Sequence, residues 1–220
     1  SSLPLASKFL LRVLFRILWL TSRTMAGTGG YGTSGSPKVL VPIAESSEEI
    51  ETACITDTLV RCGCQVTVAS VMPALQVKMS RGLKIVADCS IEDCKGKEWD
   101  AIVLPGGMPG AEHLRDSATL IELLKEQNSK QKVTAAICAS PAVVFAAHGL
   151  LPKSSTSYPA PKFKEIIGAN WQDAVAVADG HMVTSQGPGT SIQFALALGE
   201  KLVGREKAEE VAKAMLVQMP

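Results

Sequence analysis

Runs of consecutive apolar, largely β-branched residues recur along this chain, each bounded by turn residues. "KVLVPI" (38–43), "CQVTVASV" (64–71), "LKIVAD" (83–88), "WDAIVLPGG" (99–107) and "KVTAAI" (132–137) read as strands. "AVAVAD" (174–179) and "HMVTSQG" (181–187) are weaker strands, and the Asp179-Gly180 pair between them predicts a hairpin. Between these runs the apolar period lengthens to that of a helix. "SSEEIETACITDTLVRCG" (46–63) places Ser46 and Glu49 in capping-box relation ahead of an apolar face at Ile50, Ala53, Cys54, Leu59 and Val60, with Gly63 as the stop. "LIELLKEQNSK" (120–130), "PAVVFAAHGLL" (141–151), "SIQFALALGEKLVG" (191–204) and "EKAEEVAKAMLVQM" (206–219) complete the helical set. Continuous apolar strands alternating with helices predict an α/β fold with a mostly parallel sheet covered on both faces.

The amino-terminal end follows a different pattern. Residues 1–44 contain no Asp or Glu, and "SKFLLRVLFRILWLTSR" (7–23) spaces Lys8, Arg12 and Arg16 along one helical face. Its apolar stretches fall short of the ~18 residues of a spanning helix. Residues 1–36 therefore read as a basic amphipathic targeting or anchoring segment followed by a Gly/Ser linker, with a shorter form beginning at Met25 as the alternative. The folded domain is expected over 37–220. Membrane contact is expected only through residues 7–23.

Composition narrows the function. The 220 residues are 46% apolar and 20% charged, with a formal net charge of +1, which gives no reason to expect a nucleic-acid partner. Six cysteines without C-x-x-C pairs or nearby histidines argue against zinc and disulfides and for a reducing compartment, the cytoplasm, or an organelle if the basic segment is native.

Open parallel sheets gather chemistry at the carboxyl ends of their strands, and three loops stand there. Cys138 ends the run "KVTAAI" and is followed by Ala139, Ser140 and Pro141, which allows a tight strand-to-helix elbow whose amides would lower the thiol pKa. A small buried thiol among alanines is the competing reading. "LPGGMPG" (104–110) offers Gly106 and Gly107, either as an oxyanion-binding backbone or as an ordinary turn. Glu51, one residue after the apolar Ile50, falls at the edge of the buried stripe, where desolvation would hold a carboxyl protonated, while Glu48 and Glu49 read as solvent-facing charges. His113, His148 and His181 read as structural or solvated.

Together, "AESSEEIET", "MSRG", "VLPGGMPGAEHL", "AAICASP" and "TSQGPGTSIQFALAL" resemble, in order and spacing, the DJ-one family of the ThiJ/PfpI superfamily over residues 37–218. The resemblance implies a flavodoxin-like (Rossmann-like) three-layer sandwich with an extra C-terminal helix, a homodimer, and no cofactor or metal. It implies that Cys138 is an oxidisable thiol and Glu51 its protonated neighbour, that Gly106, Gly107 and Ala139 supply amides to a bound oxyanion, and that Arg81 approaches the partner subunit's site. Where many relatives carry a histidine before proline, "STSYPAP" has Tyr158, a phenol that is no base near neutral pH. Two functions follow from the resemblance: a glutathione-independent glyoxalase or deglycase acting on a small aldehyde such as methylglyoxal, or a redox sensor and chaperone that engages signalling partners through Cys138. A PfpI-type cysteine protease needs a histidine directly after the nucleophile, where this chain has Ala139.

Overall fold

The computed structural model describes residues 35–220. The expectations for residues 1–34, the basic segment among them, lie outside the described residues.

A seven-stranded sheet forms the middle of the molecule. Its strands are β1 (Lys38–Ile43), β2 (Gln65–Ser70), β5 (Cys89–Ser90), β6 (Ala101–Leu104), β7 (Val133–Ile137), β8 (Ala176–Asp179) and β9 (Met182–Ser185), in the order β5-β2-β1-β6-β7-β9-β8. All neighbours are parallel except the edge pair β8–β9, which is antiparallel. That pair is the expected hairpin: Asp179 pairs with Met182 across a two-residue turn in which Gly180 has φ +59°, a conformation open to glycine.

The period-two alternation of each strand divides the core. Val39, Val41, Ile43, Val103, Ala135 and Ile137 point to one face. There they meet Ile55 and Leu59 of α1 (Glu49–Arg61), Phe194 and Leu198 of α5 (Ser191–Val203), and Val211 of α6 (Arg205–Ala214). Leu40, Ile102, Leu104 and Ala136 point to the other face and pack on Leu114 of α2 (Gly110–Asp116), Leu120 and Leu124 of α3 (Ala118–Ser129), and Phe145. Each such fully enclosed aliphatic side chain contributes about 1.5–3 kcal/mol of transfer free energy. Helix, sheet and helix make the expected three-layer α/β sandwich, and α6 is the extra carboxyl-terminal helix.

Several local expectations are corrected. "LKIVAD" does not join the main sheet: β4 (Lys84–Val86) pairs antiparallel with β3 (Gln76–Lys78) as a separate two-stranded hairpin. The stretch after Cys138 is not a regular α-helix but a wide π-helical turn over Pro141–Phe145 followed by a 3-10 turn over Ala146–His148, ended by Gly149 at φ +66°. Two short helices were not legible in the apolar period, α2 and α4 (Pro161–Ile167).

The capping box at Ser46 and Glu49 does not form. Ser46 lies outside the helix with φ +63°, and Glu48 is the cap: its carboxylate accepts the Glu51 backbone N–H at 2.7 Å. Glu49 instead accepts from Ser80 Oγ at 2.6 Å and from the Arg81 backbone N–H at 2.7 Å, tying α1 to the loop between β3 and β4. The buried face of α1 is Glu51, Thr52, Ile55, Thr58 and Leu59, whereas Ile50 and Val60 are 52% and 57% exposed. The helix is thus rotated from the face its apolar residues predict, and Glu51 sits inside the buried stripe.

Candidate active site

The carboxyl ends of β1, β6, β7 and β9 converge, and each leads into a loop that contributes to one site. At the end of β7 the backbone turns abruptly: Cys138 has φ +62°, a region that non-glycine residues occupy at a cost of order 1–2 kcal/mol. Three hydrogen bonds hold it there. The Cys138 N–H donates to Ser185 O of β9 (3.0 Å), the Tyr158 N–H donates to Cys138 O (2.7 Å), and Ser140 Oγ donates to Pro105 O (2.5 Å). The strained elbow leaves the thiol partly buried, packed against the core on one side and lining a cavity on the other.

Gly106 and Gly107 follow β6 and press against this elbow. A Cβ on Gly106 would stand 2.5 Å from Cys138 Cβ and 3.0 Å from its Sγ, so only glycine allows the approach. Gly107, at φ +91°, packs against the Ser46–Glu48 backbone, and its carbonyl neighbour in the chain, Gly106 O, accepts the Glu48 N–H at 3.0 Å. The Gly107 and Ala139 backbone amides are near enough to act on the Cys138 thiol, each favouring its charged form.

Glu51 arrives from α1 and is fully enclosed. Its Oε2 accepts the Gly106 N–H at 2.6 Å, so this amide is engaged by Glu51 and is not free to face a substrate oxygen as the resemblance implies. Oε1 is buried, closes no hydrogen bond of regular geometry, and belongs to a carboxyl within interaction range of the thiol. Burial pushes the Glu51 pKa up from its ordinary 4.5 to about 7, against the lowering effect of the Gly106 amide and the Cys138 side chain. Burial also pushes Cys138 up, to about 12, with the Glu51 charge adding to it, while the Gly107 and Ala139 amides pull the other way. The expectation of a low thiol pKa from the elbow alone is therefore corrected: the amides act in the expected direction, but desolvation outweighs them. A proton on Glu51 removes the negative charge that opposes a thiolate at Cys138.

A cavity of about 360 Å³ opens over the thiol, bounded by Arg81, Gly107, Met108, Ala139, Tyr158 and Lys162, among others. Arg81 lines the cavity of its own chain, and its guanidinium donates to Ser80 O at 3.3 Å. Tyr158 is 47% exposed, its ring lying against the Gly187 backbone. No histidine lines this cavity among the described residues. His148 Nε2 is paired with Arg115 O at 2.9 Å, and His181 Nε2 with Asn128 Oδ1 at 2.7 Å. No cluster of three or more metal-ligating side chains occurs among the described residues.

Sequence reasoning missed Glu48 and Lys162. Glu48 is only 7% exposed because capping Glu51 N turns it inward, and its position three residues before Glu51 was the available signal. Lys162, from the first turn of α4, reaches the cavity wall with Nζ 4.8 Å from the Phe163 ring centre. Finding it required knowing that α4 folds over the site.

Comparison with known proteins places this geometry. Residues 37–201 match the model of the DJ-1/PfpI family. Protein DJ-1 homolog B of Arabidopsis thaliana is 46% identical over 83% of this chain, but the match takes in 42% of the plant protein, so the chain spans under half of that relative's length. Protein dj-1beta of Drosophila melanogaster is 41% identical over 83% of this chain and 98% of its own. The glutathione-independent glyoxalase DJR-1.2 of Caenorhabditis elegans is 38% identical over 82% of this chain and 95% of its own. Among solved structures, that of oxidized Toxoplasma gondii DJ-1 superposes with a TM-score of 0.80 at 44% identity, covering 83% of this chain and 99% of the other. The fold, the ordered strand-end loops and these matches agree: the chain belongs to the DJ-1/PfpI family.

Proposed function

We propose that this protein is a cofactor-free glyoxalase or deglycase that acts on methylglyoxal and related small dicarbonyl or glycated groups. The observation that carries this reading is the enclosed Glu51 carboxyl, with Oε1 unpartnered, beside a thiol held on a strained elbow. The name of the worm relative supports the reaction class.

In the proposed sequence, the Cys138 sulfur bonds to the aldehyde carbon while the aldehyde oxygen takes a proton, giving a hemithioacetal. Glu51 as carboxylate removes the proton from that carbon, forming an enediol, and a proton returned to the neighbouring carbon leaves a lactoyl thioester. Water then cleaves the carbon–sulfur bond, releasing lactate and restoring the thiol. Gly107 N–H and Ala139 N–H are the donors we assign to the developing oxyanion. Tyr158 and Arg81 bound the substrate space, and the proton transfers are assigned to Glu51 alone.

The test is lactate formation from methylglyoxal by purified protein. Cys138→Ala is expected to reduce turnover to the uncatalysed rate, and Glu51→Gln to reduce it by about 10²–10⁴-fold. Wild-type turnover equal to that of Cys138→Ala overturns the reading.

One observation favours a second reading, a redox sensor. The Gly107 and Ala139 amides that would hold a substrate oxyanion are equally placed for the oxygens of an oxidised Cys138, and the Toxoplasma relative was solved in an oxidized form. Under this reading Cys138 gains two oxygens in mild peroxide while the enzyme assay stays silent.

A further inference from the structure

Two other cysteines stand together away from this cavity. Cys89 lies on the edge strand β5, and Cys94 closes the 3-10 turn over Glu92–Cys94 that follows it. Their sulfurs are 3.7 Å apart, with both thiols reduced. Cys89 is half-buried, and Cys94 is completely enclosed in the core beneath β5.

The turn that joins them is held by its own hydrogen bonds with the two sulfurs facing each other. Ser90 Oγ and the Ser90 N–H both donate to Asp93 Oδ2, at 2.7 and 3.1 Å, and the Cys94 N–H donates to Ile91 O at 3.1 Å. Asp88 accepts the Val68 N–H at 2.8 Å, and Ile91 donates to Ser70 O at 2.8 Å, which fastens the turn to β2 on either side of Cys89. Bonding distance between sulfurs is about 2.05 Å, so closure requires an approach of under about 2 Å, within the reach of two side-chain rotations.

We propose that Cys89 and Cys94 form a second, reversible redox site, a vicinal dithiol that a hydroperoxide converts to an intramolecular disulfide. The accessible Cys89 sulfur attacks the peroxide O–O bond, becoming a sulfenic acid as the peroxide is reduced to water or an alcohol. The Cys94 sulfur then attacks the Cys89 sulfur, the S–O bond breaks, and its oxygen leaves as water with the thiol proton. The dithiol loses two electrons and two hydrogens, and the hydroperoxide takes them up. Cys89 is the half-buried member of the pair and makes the first attack, while Cys94, fully enclosed and 3.7 Å away, is placed to resolve. A thiol pair reverses the disulfide by exchange, whereas a sulfinate formed at Cys138 would persist.

The chain supplies its own means of reading each thiol separately. Cleavage after Lys84 and Lys95 yields one peptide, 85–95, holding both Cys89 and Cys94, while cleavage after Lys132 and Lys153 yields a peptide in which Cys138 is the single cysteine. The full chain is treated with hydrogen peroxide, alkylated under denaturing conditions, digested with trypsin and weighed. The expected result is loss of two hydrogens and of both alkylations in peptide 85–95, restored by dithiothreitol. In Cys94→Ser the same treatment is expected to leave Cys89 as a sulfenic acid trapped by dimedone. If Cys94→Ser does not fold, Cys89→Ser serves, and Cys94 is then expected to stay fully alkylatable after peroxide.

Retention of both alkylations in peptide 85–95 while the Cys138 peptide gains oxygen overturns the proposal. So does oxygen accumulating on Cys89 with Cys94 intact, or oxidation of Cys94 in Cys89→Ser. None of these results bears on lactate formation at Cys138, so the two readings fail independently.

Discussion

At the scale of single residues, the site turns on one buried carboxyl. Glu51 exists fully enclosed because a backbone amide, Gly106 N–H, supports it and because burial favours its protonated form. That has a thermodynamic consequence with a definite sign. The folded-state pKa of about 7 lies above the ordinary 4.5, so the native chain holds this proton more tightly than the unfolded chain. Its stabilising contribution is fully present below about pH 4.5 and is lost as the pH rises through about 7. The span corresponds to about 3 kcal/mol, to order of magnitude. Denaturant titrations from pH 4.5 to 8 are expected to show wild-type stability falling relative to Glu51→Gln, whose amide does not titrate. Parallel curves for the two proteins would show that Glu51 is already ionised in the fold.

At the scale of elements, α1 shows how a helix can present a face its apolar residues do not choose. Ile50, Ala53 and Val60 are spaced as a stripe, yet Ile55 and Leu59 are fully buried while Ile50 and Val60 face outward. Anchors at the first turn set the rotation: Glu48 caps the helix from inside, and Glu49 binds the 80–81 backbone and hydroxyl. Ile55→Ala is therefore expected to cost about 2–5 kcal/mol, and Ile50→Ala or Val60→Ala less than about 0.5 kcal/mol in the isolated subunit. Urea midpoints of the three variants measure the difference. Similar losses at positions 50 and 55 would contradict the rotation described.

At the scale of the whole molecule, four of the exposed apolar side chains fall on or beside two elements that are tied together. Ile50 on α1, and Leu75, Leu83 and Val86 on or beside the β3–β4 hairpin, are 41–67% exposed, and Glu49 ties these two elements to each other. The family resemblance implies a homodimer, and this surface is our prediction for its interface. Sedimentation is expected to give twice the chain mass for the wild-type protein, and Val86→Glu together with Ile50→Glu is expected to shift it to the single-chain mass, because an unpaired charge in a buried contact is costly. No helix among the described residues is long and apolar enough to cross a membrane.

What the sequence determined by itself was whatever depends on near neighbours in the chain. Alternating apolar runs specify strands and their two faces, because a strand's side chains alternate regardless of what covers them. The Asp179-Gly180 turn specifies a hairpin, because glycine tolerates φ above zero. Cys138, Gly106 and Gly107 could be singled out as candidates because strand-end loops of a parallel sheet are where ligands meet backbone amides, and five motifs in order named the family. Tertiary structure alone decided which way α1 faces, that the Gly106 amide is engaged by Glu51, that burial raises the Cys138 thiol instead of the elbow lowering it, and that Lys162 and Arg81 line the cavity over the thiol. Each of these depends on groups distant in sequence brought within a few ångströms, where desolvation and hydrogen bonding act, and a one-dimensional pattern carries no record of such distances.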